Sequence, residues 1–164
     1  MAALLKYYLS GGAANADPNA ALGGAISATL LGAGLHNLFD LVDGDEAAAG
    51  DVEYRCLYVK NDGASTAFGT KVFISADTVS TASDCKIGLG SSAINGVEQT
   101  VADEDTAPVG VTQVDADGEG AALVIGDIPA GEHKAVWVER TIDPVAPAKD
   151  NDTMSIRVAY STGE

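Results

Sequence analysis

The residues best suited to chemistry are few in this chain, and their spacing does not favour it. Only two histidines and two cysteines occur among 164 residues. His36 lies in a glycine-rich stretch and His133 follows a Pro-Ala-Gly turn, so both read as surface histidines and not as general bases. Cys56 and Cys85 fall in different predicted strands, and in a reducing compartment both are expected free and buried. Two cysteines and two histidines without close spacing do not make a zinc site. No Gly-Lys-Ser/Thr, G-x-S-x-G or H-E-x-x-H occurs, and "GLGSSAING" (88–96) is glycine-rich but opens no helix. An enzyme is not expected, and no cofactor is implied.

The acidic residues need separate weighing. "DADGEG", Asp115 to Gly120, places Asp115, Asp117 and Glu119 at the first, third and fifth positions of a calcium loop. The twelfth position is Gly126, where a bidentate glutamate is required, so an EF-hand is excluded. A weaker calcium site, made with the acidic residues of 43–46, 102–105 or 150–152, stands as an alternative to plain solvated loops.

Composition narrows the partners. Acidic residues number 24 against 9 basic ones, a net charge of −15. Phosphate backbones and anionic membrane surfaces need Lys/Arg clusters, so neither nucleic acid nor membrane is an expected partner. No run of about 18 apolar residues occurs, so no membrane-spanning helix is expected. The first residues, "MAALLKYYLSGG", lack the order of a secretory signal. Hydrophobic residues reach 46% but aromatics only 5%, which points to a thin core of small side chains.

Periodicity gives the elements. "DVEYRCLYVKNDG", "GTKVFISAD", "DCKIGLG", "AALVIGDI", "HKAVWVERTI" and "TMSIRVAYS" read as strands, separated by Asn-Asp-Gly, Pro-Ala-Gly and Pro-rich turns. Weak strand pieces are expected around 97–101 and 109–114, inside a long polar stretch. Short strands at this spacing, with no long amphipathic helix, predict an antiparallel β-sandwich. Residues 1–45, rich in Gly and Ala, read as an extended N-terminal arm making inter-subunit contacts, with the sandwich domain at 46–164. "LLKYYLS" within it could form a short strand, and "DGDEAAAG" one helical turn.

Alternation assigns the core to Tyr54, Cys56, Tyr58, Val72, Ile74, Ile125, Val136, Val138, Ile156 and Val158. Val136, Val138 and Ile142 then share one face of their strand, with Ala135, Trp137 and Glu139 on the other. A Trp137 on the outer face implies that this face is covered, by the arm or by a neighbour. Leu4, Tyr7, Tyr8 and Leu9 are the expected arm anchors, and Leu38 and Phe39 the point where the arm meets the sandwich. These six residues and Trp137 make up the expected interface.

Four stretches carry a family resemblance: "KYYLSGGAANADPNAALGGAIS", "DVEYRCLYVKNDG", "IGLGSSAINGVEQTVADEDTAPVGV" and "IPAGEHKAVWVERTI". Over most of its length the chain resembles virion structural proteins of tailed bacteriophages, small proteins with an immunoglobulin-like β-sandwich. The resemblance implies a non-enzymatic part of a phage particle, first of all a decoration or cement protein on the capsid exterior. Its partners would be the major capsid protein and copies of itself, and it would pass through the host cytoplasm during assembly. A neck, tail or fibre component is the second expectation. A calcium- or carbohydrate-binding adhesion module is the alternative from a different class. No functional residue is carried over from the family.

Overall fold

The computed structural model describes residues 2–163. Seven strands form two antiparallel sheets: β1 (Leu5–Leu9), β2 (Asp51–Asn61), β3 (Ala67–Ala76), β4 (Ser83–Leu89), β5 (Leu123–Ile128), β6 (His133–Ile142) and β7 (Ser155–Ser161). One sheet has the order β1-β2-β6-β4 and the other β5-β3-β7. From β2 onward every connection crosses from one sheet to the other. The result is the expected all-β, two-layer sandwich. Four strands face three, as in an immunoglobulin constant domain, but the order is different. There the fifth strand lies between the second and fourth; here the sixth, β6, does.

The strands form where alternation placed them. Asn61-Asp62-Gly63 closes β2, and Pro129-Ala130-Gly131 turns β5 into β6. The single α-helix among the described residues, α1 (Gly44–Ala49), is one short piece started by a capping box. Asp43 accepts from the backbone of Asp45 and Glu46, and the Glu46 carboxylate accepts from the Asp43 N–H. The weak pieces expected at 97–101 and 109–114 form only isolated bridges, at Thr100 and Val114.

Residues 2–45 do not stand off as an extended arm. β1 pairs with β2 in full register, Leu5 opposite Asn61 through Leu9 opposite Leu57. The chain then leaves the sheet at residue 10 and returns at β2, and the excursion folds over its own domain. Residues 27–31 bond along the outer edge of β1, through Ser27 N–H to Leu9 C=O, Leu9 N–H to Thr29 C=O and Leu31 N–H to Tyr7 C=O. That covers an edge that would otherwise pair with another chain. Residues 20–26 cross the outer face of the four-stranded sheet, tied to it by Cys56 N–H to Ala21 C=O. The physical reason is area: a thin sandwich gains apolar burial by wrapping its own first third around itself.

Two cores result. Between the sheets lie Leu9, Leu57, Val59, Val72, Ile74, Ile87, Ile128, Val136 and Val138. On the outer face of the four-stranded sheet lie Cys56, Tyr58, Val101, Ala135 and Trp137, covered by Leu22 and Ile26 and by Val111. Val136 and Val138 therefore face opposite to Trp137, as alternation indicated. Tyr54, Cys56 and Tyr58 belong with Trp137 and not with the valines, because Cys56 stands opposite Trp137 in the β2–β6 register. The inner partners of Val136 and Val138 are Leu57 and Arg55. Close approach over Trp137 depends on two glycines. A Cβ on Gly23 (φ +93°) would lie 1.9 Å from the Gln99 carbonyl oxygen and 3.1 Å from the Trp137 ring. A Cβ on Gly88, beside Trp137 in the β4–β6 ladder, would meet Val111 at 2.6 Å.

Candidate functional site

The densest chemistry in the described residues is a charged cluster at one end of the inter-sheet core. On β2 the inward positions run Glu53, Arg55, Leu57, Val59, and on β6 they run Val136, Val138, Arg140. Apolar parity thus ends in charge on both strands. Glu53 faces Arg140 directly across the ladder. The Arg140 Nε donates to Glu53 Oε2 at 2.5 Å, and its Nη1 donates to the Asp40 carbonyl at 2.8 Å. Arg140 Nη2 also lies 3.6 Å from Asp40 Oδ1. Arg55 pairs with Glu104. The Phe39 ring caps both guanidinium groups, with Arg140 4.8 Å and Arg55 5.6 Å from its centroid. Glu53 and Arg55 are wholly buried, while Asp40 and Glu104 form the half-exposed rim.

Oxygens of Asp40, Glu53 and Glu104 lie within 4.8 Å of one another, a spacing that could hold a cation. The two arginines decide against that use. They already supply the counter-charge, and a cation would sit beside two positive groups in a poorly screened interior. Glu53 Oε1, Asp40 Oδ1 and Arg55 Nε have no hydrogen-bond partner. Burial pushes the Glu53 carboxyl up to about 7, although Arg140 and Arg55 pull it the other way. What the cluster does is lock together three segments distant in sequence: residues 38–40, the loop at 104, and the β2–β6 pair.

A second polar knot fixes the outer covering. The Tyr58 hydroxyl donates to the Gly24 carbonyl at 2.6 Å and accepts from the Glu98 N–H at 2.9 Å, so one side chain holds both covering segments. The Glu98 carboxylate accepts from Ser91 Oγ and the Ser92 N–H. Burial opposes its ionisation, but bonds from Ser92, Ser91 and Gln99 outweigh that and hold it at about 2.

The residues expected at an interface divide. Leu4 is half exposed. Tyr7 points into the core and donates to the Ile156 carbonyl at 3.2 Å, its hydroxyl pushed up to about 12 by burial. Tyr8 points to the opposite face and donates to Asp62 at 2.6 Å. Leu9, Leu38 and Trp137 are buried inside this chain, so they are not free to meet a second one. Of the two covers expected over Trp137, the arm or a neighbour, the structure shows the chain's own N-terminal segment. Leu38 and Phe39 do mark where the N-terminal segment meets the sandwich.

The calcium candidates are not brought together. Asp115 lies near Lys86 (4.0 Å), the Asp117 backbone bridges to Ile74, and Glu119 opens a 3-10 turn. All three are exposed. Among the described residues the carboxylates that do converge are Asp40, Glu53 and Glu104. Both cysteines are free and buried. His133 is half-buried and packs edge-on against Tyr58 with ring centroids 4.9 Å apart; burial lowers its pKa.

Of the cluster's five charged residues, Glu104 lies in the acidic 102–105 stretch weighed for calcium, while Asp40, Glu53, Arg55 and Arg140 escaped sequence reasoning. The available signal was parity: Glu53 and Arg55 continue the inward row of Leu57 and Val59, and Arg140 that of Val136 and Val138. A charge on an inward row predicts an opposite charge across the ladder. No protein-family model matches the chain, and comparison with curated proteins finds no significant match either.

Proposed function

We propose that this chain is a non-enzymatic structural component of a tailed-phage particle, a decoration protein seated on the capsid exterior with the major capsid protein as its partner. The resemblance of four stretches of sequence motivates the reading. The observation that carries it is how the charges are used. Of nine basic residues, six are engaged in ion pairs or hydrogen bonds within this chain, Lys6, Lys60 and Lys86 among them at the surface. Arg55 and Arg140 are in the buried cluster, Lys6 and Lys60 pair with Asp62, Lys86 pairs with Asp84, and Lys134 donates to the Gly90 carbonyl. With 24 acidic residues against these nine, the chain carries a large excess of negative charge. Such a unit stays dispersed at high copy number and docks by charge onto a different, more basic surface. Its buried titratable groups are occupied in holding covering segments down.

The test is co-sedimentation with purified phage heads stripped of their exterior proteins. Saturable binding at a simple ratio to the major capsid protein, with a higher temperature of head rupture, is the expected result. A protein that stays in the supernatant at every ratio contradicts the proposal.

A further inference from the structure

All but one of the basic residues lie in strands. Lys6 is in β1, Arg55 and Lys60 in β2, Lys71 in β3, Lys86 in β4, Lys134 and Arg140 in β6, and Arg157 in β7. Lys149 is the exception, in the loop of residues 143–154 that joins β6 to β7. Residues 147–151 are exposed without interruption and lie outside every ladder. The loop is tied down only on either side of them. Before them, the Asp143 N–H donates to the Ala82 carbonyl at 2.8 Å and the Ala146 N–H to the Ala47 carbonyl at 2.9 Å. After them, the Asp152 carboxylate accepts from the N–H groups of Val79 and Ser80, at 2.7 and 2.9 Å, and from the Ser83 hydroxyl. Between these anchors Val145 (φ +63°) and Asn151 (φ +56°) are left-handed without being glycine, so a break between them relieves strain and creates none.

An endoprotease binds its substrate as an extended segment in its cleft. A bond held in a ladder is out of its reach until that ladder opens, whereas an exposed loop is open already. We infer that the Lys149–Asp150 peptide bond is this chain's native-state processing site for endoproteases that cut after lysine or arginine, and that the cut product keeps its fold. The step is a hydrolysis: water adds across the bond, leaving Lys149 with a carboxylate and Asp150 with a free amine. The segment that begins at Asp150 takes its own fastenings with it. Asp152 lies on its side of the cut, and β7 pairs with β3 from Ser155 to Ser161, with Ile156 opposite Ile74 and Val158 opposite Val72. Ile156 and Val158 pack on the inter-sheet core, and Tyr7 donates to the Ile156 carbonyl at 3.2 Å. Tyr160 donates to the Ala3 carbonyl at 3.2 Å. Cleavage thus changes the connectivity of the sandwich without removing a strand. The inference does not require the phage reading.

Trypsin is the probe, applied to the whole native protein, with products followed by intact mass and by size exclusion. The expected first products are the fragments 1–149 and 150–164, eluting together at the position of the uncut protein and separating only in denaturant. Lys149 is exposed and makes no ion pair among the described residues, so K149Q leaves the fold alone. That variant is expected to lose intact chain about tenfold more slowly than the wild type, because cleavage then has to wait for a strand to open. First cleavage after any other basic residue overturns the inference. So does equal loss of intact chain in the wild type and K149Q, as digestion through global unfolding would give, or a native chain left uncut by trypsin that digests the denatured one. Fragment 150–164 eluting on its own in buffer overturns the retention of β7.

Discussion

Glu53 and Arg140 stand directly opposite one another on β2 and β6, inside the sandwich, joined by a 2.5 Å hydrogen bond from Nε to Oε2. A charged pair in a core made of small apolar side chains costs desolvation, which its own attraction only partly offsets. What it gains here is placement, because Arg140 also holds the Asp40 carbonyl and stacks on Phe39.

Breaking one side of the pair should therefore cost more than removing both. Arg140→Leu leaves Glu53 and Asp40 without their main partner, and a loss of about 3–5 kcal/mol is expected in urea denaturation. Glu53→Leu combined with Arg140→Leu should recover a sizeable part of that loss. Single-variant losses that simply add in the double variant would show the two residues to be uncoupled.

The cluster also sets a pH dependence. The Glu53 pKa in the fold is raised from 4.5 to about 7. Its contribution is thus fully present below the unfolded value near 4.5 and is lost as pH rises through 7. Asp62 and Glu98 act in the other direction. Both are held at about 2, so their contribution is present above about 4 and is lost as pH falls through 2. Stability by urea denaturation should peak on the acidic side of neutrality. Glu53→Gln should flatten the decline between pH 5 and 7; an unchanged slope in that variant would assign the decline to another group.

Trp137 is the only tryptophan and is wholly buried, so it reports on the N-terminal covering directly. Gly23→Ala forces a Cβ into the Gln99 carbonyl from a backbone with φ +93°. A loss of about 2–4 kcal/mol is expected, with the tryptophan emission shifted to the red as the covering lifts. A variant with wild-type emission and stability would mean that residues 20–26 do not lie over Trp137 in solution.

The thiols should be inert. Burial pushes Cys85 up to about 12 and Cys56 up as well, and neither is paired in a disulfide. A thiol-specific reagent at pH 8 should label neither in the native protein and both after denaturation. Native labelling of Cys56 would place the outer covering open for much of the time.

Much of the sandwich was legible because its strands alternate cleanly. "HKAVWVERTI" is β6 to the residue, and the opposed faces of Val136 and Trp137 follow from period two alone. The helical turn at Gly44–Ala49 was visible in its short alanine run after acidic turn residues. Less legible was everything that depends on pairing at long range. Nothing in "LLKYYLS" states that its partner is β2, forty residues on, rather than a neighbouring chain. A Gly/Ala-rich segment looks the same whether it covers its own sheet or another's. Tyr54, Cys56 and Tyr58 were assigned to the core with the valines because alternation within one strand does not reveal its register against β6, which sets Cys56 opposite Trp137. Glu53 and Arg55 looked like ordinary strand residues because their partners, Arg140 and Glu104, lie far away in the chain.

The most direct measurement for the proposed role is copy number in purified virions, by mass spectrometry against the major capsid protein. The account expects a ratio near one or a simple fraction of it, such as one third, as an exterior lattice protein would give. A dozen copies or fewer per particle would contradict the capsid placement, and absence from the particle would contradict the structural role altogether.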